Sequence, residues 1–306
     1  MELVSAGFSD VLRVVELRTK VISVSSFLLG TAYAAYEAGA FSLLMAALML
    51  VAVLGVDMGT TAFNSYFDVK RGVDNRRFNR ERDKVLVHTG LSAGFALLVA
   101  LACFAVAGAF GLVIVILVGT EVLLVGVVSM AVGFLYNGGP LPISSTPFGE
   151  LFAGGFLGWV LFVLSYYVQT ETLTAEALQA GIPSLLFVGS ILAVNNTCDR
   201  DGDGGANRRT FAVVFGRRAS ETLVYILATV AHAVLFALAI GDGGFPAATA
   251  VAAPISYSFC LFEFIRMHRR GYSHETKGVS MQAVSRAFIV FSATTLASLL
   301  GAVVVL

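Results

Sequence analysis

Two short stretches of the sequence combine acids, amides and bases in a pattern that suits metal and phosphate chemistry. The first reads N-S-Y-F-D-V-K-R-G-V-D and supplies the candidate residues Asn64, Asp68, Lys70, Arg71 and Asp74. The second reads N-N-T-C-D-R-D-G-D-G-G-A-N-R-R-T and supplies Asn195, Asn196, Asp199, Asp201, Asp203, Asn207, Arg208 and Arg209. Both contain an N-x-x-x-D core, which suggests that a four-helix unit is repeated along the chain.

The chemistry of these stretches favours a divalent cation bound together with a diphosphate. If a helix continues through each motif, Asn64 shares a face with Asp68, and Asn195 shares one with Asp199 and Asp203. Clustered carboxylates repel one another unless a cation lies between them. Magnesium is typically held by one or two carboxylates plus phosphate oxygens, and interleaved Lys and Arg suit the same phosphate. The sequence therefore predicts that the two motifs face each other over one site for magnesium and a diphosphate.

Seven side chains are the candidate metal ligands. They are Asn64, Asp68, Asp74, Asn195, Asp199, Asp201 and Asp203. One alternative is that both stretches are ordinary solvated loops. A calcium loop is a second alternative, because the segment from Asp199 to Gly204 fits the opening of an EF-hand, but Thr210 stands where the bidentate Glu is required.

The rest of the chain is strongly apolar. With 57% hydrophobic and 13% charged residues over 306 positions, it does not fit a water-soluble globule. Runs of about 20 apolar residues predict an all-α, polytopic membrane protein with nine spans. We place them near 21–40, 42–63, 91–109, 112–135, 148–168, 181–198, 219–240, 245–265 and 284–305. We expect a single domain over 1–306 with a short cytoplasmic segment 1–20, and a turn at Gly108 and Gly111.

Charge placement predicts the orientation in the membrane. The 20 Lys and Arg residues fall before the first span and within 70–84, 200–218 and 266–286. With nine spans, all these clusters lie on one face, and basic residues prefer the cytoplasmic side of short loops. We therefore predict a multi-pass protein of the cell membrane, with a cytoplasmic N-terminus and a site that faces the cytoplasm.

These motifs resemble those of the UbiA superfamily of intramembrane aromatic prenyltransferases. The first superfamily motif usually reads N-D-x-x-D-x-x-x-D, whereas here Ser65 replaces the first acid and Gly72 stands at the position of the last, with Asp74 two residues on. This N-x-x-x-D-x-x-x-G-x-D form is similar to the branch that prenylates 1,4-dihydroxy-2-naphthoate in menaquinone synthesis. The second motif and the following N-R-R-T-F-A-V-V-F-G also resemble that branch, with Cys198 and Asn207 as departures.

Two further segments are similar to parts of the same enzymes. The segment Y-N-G-G-P-L-P from Tyr136, followed by Gly149 and Glu150, is similar to a cytoplasmic loop, and L-R-T-K ending at Lys20 resembles the entry to the first helix. The resemblance implies a nine-helix bundle around a central cavity, with Mg²⁺ as cofactor. It also implies transfer of a polyprenyl group from its diphosphate to an aromatic acceptor, with loss of CO₂ when the acceptor is dihydroxynaphthoate.

The resemblance also implies roles for individual residues. The expected catalytic residues are Asp68, Asp199, Lys70, Arg71, Arg208, Arg209 and Tyr136. The expected substrate-binding residues are Asn137, Arg18, Lys20, Asn196 and Asn207, with Arg18 or Lys20 paired to the acceptor carboxylate. We expect polyprenyl diphosphate, a dihydroxynaphthoate-like acceptor and the lipid bilayer as partners, and no nucleic acid.

Other functions fit part of the pattern. A UbiA-type prenyltransferase with another aromatic or lipid acceptor is the nearest alternative. A secondary transporter also places acids at interrupted helices, although usually near the midplane of the membrane. A CDP-alcohol phosphotransferase needs D-G-x-x-A-R and further acids downstream, which the segment after Asp203 does not match. A non-catalytic lipid-binding membrane protein would not need magnesium.

Overall fold

The protein is helical throughout the part of the chain that the structure describes. A computed structural model describes residues 7–71, 91–241 and 244–305, and no strand occurs within them. The α-helices are α1 (Phe8–Val14), α2 (Val21–Glu37), α3 (Leu43–Lys70), α4 (Ala93–Val118), α5 (Glu121–Asn137), α6 (Gly149–Ala153), α7 (Leu161–Thr170), α8 (Ala175–Ala180), α9 (Ile182–Gly205), α10 (Phe211–Ile240), α11 (Ala247–Arg270) and α12 (Lys277–Val305). A π-helical segment, Gly154–Val160, joins α6 to α7, and short 3₁₀ turns form at Leu17–Lys20 and Ile143–Ser145.

Each of the nine predicted apolar segments contains a helix. Among the described residues, seven helical runs are long and apolar enough to cross a membrane. They are α3, α4, the run Gly149–Thr170, the run Ala175–Gly205, α10, α11 and α12. Helices α2 and α5 are apolar but have only 17 residues each. The all-helical membrane fold is therefore confirmed, whereas the count of nine crossings and the cytoplasmic N-terminus stay predictions.

The turn that divides the long apolar stretch lies further along the chain than predicted. Gly108 and Gly111 both lie inside α4, so the prediction of a turn there is wrong. Helix α4 instead ends at Gly119, whose φ of 144° is a conformation that side chains with a Cβ rarely adopt. Glu121 then begins α5, where its negative charge favours the helix N-terminus. A break within the apolar stretch was therefore predicted correctly, but it occurs at Gly119, the glycine with positive φ.

The chain divides into two compact units. The first comprises Met1–Val21 and Leu48–Ser145. Its buried core consists of Val14, Val15, Ala62, Phe63, Ala96, Val99 and Ala100. The ring of Phe63 on α3 lies edge-on to Phe104 of α4 and to Phe134 of α5, at centroid distances of 5.1 and 5.2 Å. These aromatic contacts hold α4 and α5 against the helix that bears the first motif.

The second unit comprises Ile22–Ala47 and Thr146–Leu306. Helix α9 is its central element. In the run Ala175–Gly205, 67% of the most apolar stretch is buried, against 33% of the corresponding stretch in each of α10, α11 and α12. Phe187 of α9 contacts Phe288 and Phe291 of α12 at centroid distances of 5.4 and 5.0 Å. The helix that ends in the second motif is thus surrounded by packed side chains within its unit.

Two glycines allow the π-helical segment to lie directly against α9. A Cβ added at Gly158 would lie 2.6 Å from the carbonyl oxygen of Ser184, and one at Gly154 would overlap the carbonyl of Leu185. By contrast, a Cβ at Gly155 would meet nothing within 4 Å. Backbone contact between helices requires such small residues, as in other membrane bundles. The π segment therefore fixes the distance between α9 and the helical run Gly149–Thr170.

We expect Gly158→Ala to destabilise the second unit and Gly155→Ala to be nearly neutral. The added methyl group at 158 must displace backbone, which typically costs about 1–3 kcal/mol in a packed interior. Thermal unfolding of both variants in the same detergent measures the difference. Equal melting temperatures for the two variants would contradict the close contact of the π segment with α9.

Candidate active site

The first acidic motif lies at the end of a continuous helix. Helix α3 runs through Asn64 and Asp68 to Lys70, so both side chains share a helix face, as expected from their spacing. Asn64 and Asp68 are half-buried, and Lys70 is exposed with its ammonium 4.9 Å from the centre of the Tyr66 ring. Asp74, a predicted metal ligand, lies outside the described residues. The metal-binding and catalytic roles of this motif stay predictions.

Arg71 fastens the end of the first motif to the loop that follows α5. Its Nη1 donates to the main-chain carbonyl of Asn137 and its Nη2 donates to that of Gly139, both at 2.7 Å. The guanidinium also lies 5.2 Å from the centre of the Phe67 ring. Charge-assisted bonds from a planar fork fix both position and orientation. The described contacts of Arg71 thus hold the segment with Tyr136 and Asn137, and its predicted contact with diphosphate stays a prediction.

The predicted acceptor-binding residues of this loop lie at the last turn of α5. Asn137 is buried, at 5% exposure, and Tyr136 is half-buried. Gly139 adopts a φ of 79°, which turns the chain sharply after the helix. The two candidate side chains are therefore carried on a helix end whose exit is fixed by backbone geometry and by Arg71.

Lys20 is held by a carboxylate of its own unit. Its ammonium donates to Asp57 Oδ1 at 2.6 Å and to Thr61 Oγ1 at 2.7 Å, and the residue is only 3% exposed. Asp57 precedes Asn64 by two helical turns on the same face of α3, about 10 Å along the axis. Arg18 is exposed. The predicted pairing of Lys20 or Arg18 with an acceptor carboxylate stays a prediction, and Lys20 has an acidic partner within the protein.

The second motif also lies on a continuous helix, which places Asn195, Asp199 and Asp203 on one face. Helix α9 extends through all three to Gly205. The Asp199 carboxylate accepts a hydrogen bond from Lys277 Nζ at 2.7 Å on Oδ2, and His274 Nδ1 lies 3.4 Å from Oδ1. Sequence reasoning missed Lys277 and His274. Their only signal was membership of the basic segment 266–286, which was interpreted as an orientation signal.

Asp203 closes the turn after α9. It is 5% exposed, and its Oδ1 pairs with Arg208 Nη1 at 3.0 Å while Thr210 donates to Oδ2 at 3.4 Å. Asn207 makes this turn possible with a φ of 55°, a left-handed conformation that Asn tolerates better than most residues. Arg208 is thereby fixed at the helix end. The substrate-binding role predicted for Asn207 stays a prediction.

Asp201 and Arg209 lie on the exposed side of the same segment. The Asp201 side chain is 89% exposed and pairs with the neighbouring Arg200 at 2.7 Å. Arg209 is exposed as well. Exposed ion pairs of this kind contribute little to stability. Asp201 therefore differs in its surroundings from Asp199 and Asp203, with which it was grouped as a metal ligand.

A buried glutamate supports the amides of the second motif. Asn196 Nδ2 donates to Glu150 Oε1 at 2.9 Å, and Asn195 Nδ2 donates to Asn196 Oδ1 at 3.3 Å. Glu150 is 6% exposed, and within the described part of the chain its Oε2 has no hydrogen-bond partner. Sequence reasoning noted Glu150 only as part of a similar loop. Asn196, predicted to bind substrate, is oriented by this carboxylate.

The turn before α12 brings a further buried hydroxyl close to the second motif. Tyr272 is 4% exposed and donates to the hydroxyl of Tyr225 at 3.0 Å. Burial raises the pKa of Tyr272 above its ordinary value. The hydroxyl therefore keeps its proton over the physiological pH range, which maintains this link between α10 and the turn.

Comparison with known proteins identifies the family. Residues 23–281 match the model of the UbiA prenyltransferase family. The chain belongs to this family. It is 34% identical over 228 residues to the 1,4-dihydroxy-2-naphthoate octaprenyltransferase of Bacillus subtilis, covering 74% of this chain and 73% of that one. It is 30% identical over 225 residues to the enzyme of the same name from Mycobacterium tuberculosis, covering 72% and 75%.

The fold is that of solved UbiA proteins. A UbiA homolog from Archaeoglobus fulgidus, solved with DMAPP and Mg²⁺, superposes with a TM-score of 0.64 and covers 97% of this chain and 99% of that one at 17% identity. At that identity the likeness concerns the fold alone. Family membership identifies the chain as a prenyltransferase and decides against the transporter, CDP-alcohol phosphotransferase and non-catalytic interpretations.

The candidate ligands of this UbiA prenyltransferase fit a hard cation that takes some of its oxygen ligands from the protein and the others from a substrate. Within 7–71, 91–241 and 244–305, no three His, Cys, Asp or Glu side chains are grouped closely enough to hold a metal by themselves. Mg²⁺ does not need so many protein ligands. One or two carboxylates are enough, because phosphate oxygens and water occupy its other coordination positions. Asp68 and Asp199 are carboxylates of that kind, one in each unit, and their meeting over a shared ion stays a prediction.

We expect Arg71→Lys to lower kcat/KM for prenyl transfer about tenfold, because lysine keeps the charge but cannot span both carbonyls of the loop, a loss of about 1.4 kcal/mol. Arg266→Lys is the matched control, since Arg266 lies 5.3 Å from the centre of the Phe262 ring in a similar stacking contact at a helix end. Steady-state kinetics in detergent measures both. Wild-type kinetics for Arg71→Lys would show that the fork to Asn137 and Gly139 does not matter for turnover.

Proposed function

We propose that this UbiA prenyltransferase transfers a polyprenyl group from polyprenyl diphosphate to 1,4-dihydroxy-2-naphthoate, giving the reduced (quinol) form of demethylmenaquinone, CO₂ and diphosphate. The observation that supports this substrate best is the 34% identity over 228 residues to the Bacillus subtilis enzyme named for that acceptor. The N-x-x-x-D-x-x-x-G-x-D form of the first motif, which is similar to the menaquinone branch, agrees with it. Another aromatic or lipid acceptor is the alternative that the test below separates.

Asp68 and Asp199 are the proposed principal metal ligands, with Asn64 and Asp203 beside them on the same helix faces. The solved homolog with DMAPP and Mg²⁺ supports a divalent cation in this family. When bound, Mg²⁺ neutralises the negative charge that develops on the diphosphate as the allylic C–O bond breaks. The two helix ends hold the carboxylates in place, so little reorganisation is needed when the donor binds.

The bases of the motifs are proposed to act on the same diphosphate. The C–O electron pair leaves with the diphosphate, and Lys70 and Arg208 stabilise that charge. Arg208 is well suited to this because its pairing with Asp203 at 3.0 Å holds the guanidinium at the end of α9. Arg209 is exposed on the same turn and adds positive potential. The cation formed from the prenyl chain is then open to attack by the acceptor.

The loop after α5 is proposed to position the aromatic acceptor. The electron-rich ring of the acceptor attacks the allylic carbon, and a C–C bond forms. The carboxylate of the acceptor then leaves as CO₂, and the electron pair of the broken C–C bond returns to the ring. Tyr136 offers an aromatic face that stabilises the allylic cation, and Asn137 offers an amide that orients the acceptor. Arg71 keeps both in position through its two bonds to the loop backbone.

The charge pattern supports a proposal for where in the cell this chemistry takes place. We propose that the protein crosses the cell membrane several times, with both motifs at the cytoplasmic ends of helices, because the basic clusters lie beside them. The prenyl chain is then drawn from the bilayer, and the polar acceptor and the diphosphate exchange with the cytoplasm. This arrangement separates the apolar and polar parts of the reaction.

The direct test is prenyl transfer by purified protein supplied with labelled polyprenyl diphosphate, Mg²⁺ and a panel of aromatic acids. We expect a product only or mainly from 1,4-dihydroxy-2-naphthoate, with a mass that shows loss of CO₂, and none when EDTA removes the divalent cation. A product of 4-hydroxybenzoate or a lipid alcohol instead would show that the acceptor assignment is wrong. Failure to transfer to any acceptor would contradict the proposed reaction.

Conservative changes of the two principal carboxylates test the site. We expect Asp68→Asn and Asp199→Asn to lower kcat by at least about a hundredfold, because each removes an anionic ligand of the proposed Mg²⁺, and without the cation the charge on the leaving diphosphate would not be neutralised. Glu221→Gln serves as the control for loss of one acid, since Glu221 lies on α10 outside both motifs and pairs with Arg217 one helical turn away. Near-wild-type turnover by either Asn variant, with Glu221→Gln unchanged, would remove that residue from the site.

A further inference from the structure

Lys277 lies against the second motif although it is far from it in sequence. It is the first residue of α12, and its Nζ is 2.7 Å from Asp199 Oδ2 across 78 positions of the chain. Its side chain is only 15% exposed and that of Asp199 only 20%. A half-buried ammonium at the N-terminus of a helix is disfavoured by the helix dipole and by desolvation, so it needs an anionic neighbour. The position of Lys277 is therefore set by the anionic side of the site.

The turn before α12 gives this lysine a defined position. Thr276 Oγ1 donates to the carbonyl of Gly271 at 2.9 Å and accepts from Ser273 N, also at 2.9 Å. Gly271, with a φ of 79°, ends α11 and allows the sharp turn. The same turn places His274 Nδ1 3.4 Å from Asp199 Oδ1. Lys277 is thus presented by an internally bonded turn, and not by a free loop.

A diphosphate bound through Asp199 would come within reach of Lys277. A phosphate oxygen that shared a cation with the Asp199 carboxylate would be its direct neighbour in the coordination shell. The ammonium, already at 2.7 Å from Asp199, then needs only a small rotation of its flexible stem to contact the phosphate. Lysine donates in three directions, which allows contacts with the carboxylate and the phosphate together.

We propose that Lys277 is a further binding residue for the diphosphate of the prenyl donor, supplied by the turn before α12 and not by either acidic motif. The proposal rests on the proposed function, because it takes Asp199 as a ligand of the ion that holds the diphosphate. It extends the positively charged set beyond Lys70, Arg208 and Arg209.

A lysine that merely balances the charge of Asp199 makes a different prediction. Removal of the ammonium leaves Asp199 more attractive to a cation in either case, so the affinity for Mg²⁺ alone stays the same or rises. Only a diphosphate-binding lysine also lowers the affinity for diphosphate in the presence of Mg²⁺. A lysine needed for folding of the turn would weaken both. The two affinities together therefore separate the three roles.

The test is calorimetric titration of the purified full chain in detergent, first with Mg²⁺ alone and then with inorganic diphosphate at saturating Mg²⁺. We expect Lys277→Met to weaken diphosphate binding about tenfold, the effect of losing one charge-assisted contact worth about 1.4 kcal/mol. Mg²⁺ alone should bind equally well or more tightly. Lys277→Arg should restore most of the diphosphate affinity. Arg269→Met, which removes an exposed charge from the end of α11, is the matched control and should behave as wild type.

Kinetics with the prenyl donor gives the second measurement. Lys277→Met should raise KM for polyprenyl diphosphate about tenfold and change KM for the acceptor by less than about twofold. Unchanged diphosphate affinity in Lys277→Met, or parallel loss of Mg²⁺ and diphosphate binding, would overturn the proposal. If diphosphate binding falls as expected but the wild-type protein prenylates no aromatic acid, the binding role of Lys277 stands and the proposed reaction fails. If wild-type protein binds no diphosphate, both fail.

Discussion

The structure depends on one constraint, which is that an ionised side chain in a largely apolar protein needs a partner of opposite charge. Asp57 pairs with Lys20 at 2.6 Å and Asp199 with Lys277 at 2.7 Å. Glu263 is 4% exposed, and both of its oxygens accept from Arg286 at 3.0 Å, which links α11 to α12. These pairs decide where the loops and helix ends attach, because a misplaced loop would leave a buried charge without compensation. The acids and bases of the site therefore also have a structural role.

The same constraint explains why the candidate site combines acids with bases. If a carboxylate paired with a lysine or arginine also bound a metal ion, that base would lie beside any anion bound to the same ion. At the end of α9, Asp199 and Asp203 each have such a base, Lys277 and Arg208. A group of carboxylates without bases would hold a cation but repel a diphosphate. The pairing keeps the helix end stable while it remains suited to a metal and diphosphate together.

Sequence reasoning predicted the helices well because apolar runs of membrane length leave few other structures possible. It misplaced the turn near Gly108 and Gly111, because both glycines fit inside a helix and only the backbone shows that Gly119 has the positive φ. It found the two motifs from their spacing, but it missed Lys277 and did not predict that Glu150 contacts the second motif. Those residues join the motifs only through packing of distant segments, and no local pattern distinguishes Lys277 from a basic residue that sets topology.

The two motifs are attached to their units in complementary ways. In the first unit the base belongs to the motif, and Arg71 binds the carbonyls of Asn137 and Gly139 in a later loop. In the second unit the acid belongs to the motif, and Asp199 receives Lys277 from a later turn. Each acidic helix end is thus held by a segment outside its motif, so changes in those segments should also lower activity. For an enzyme that must hold a metal and a diphosphate in a fixed geometry, the loops that position the charges are as necessary as the charges.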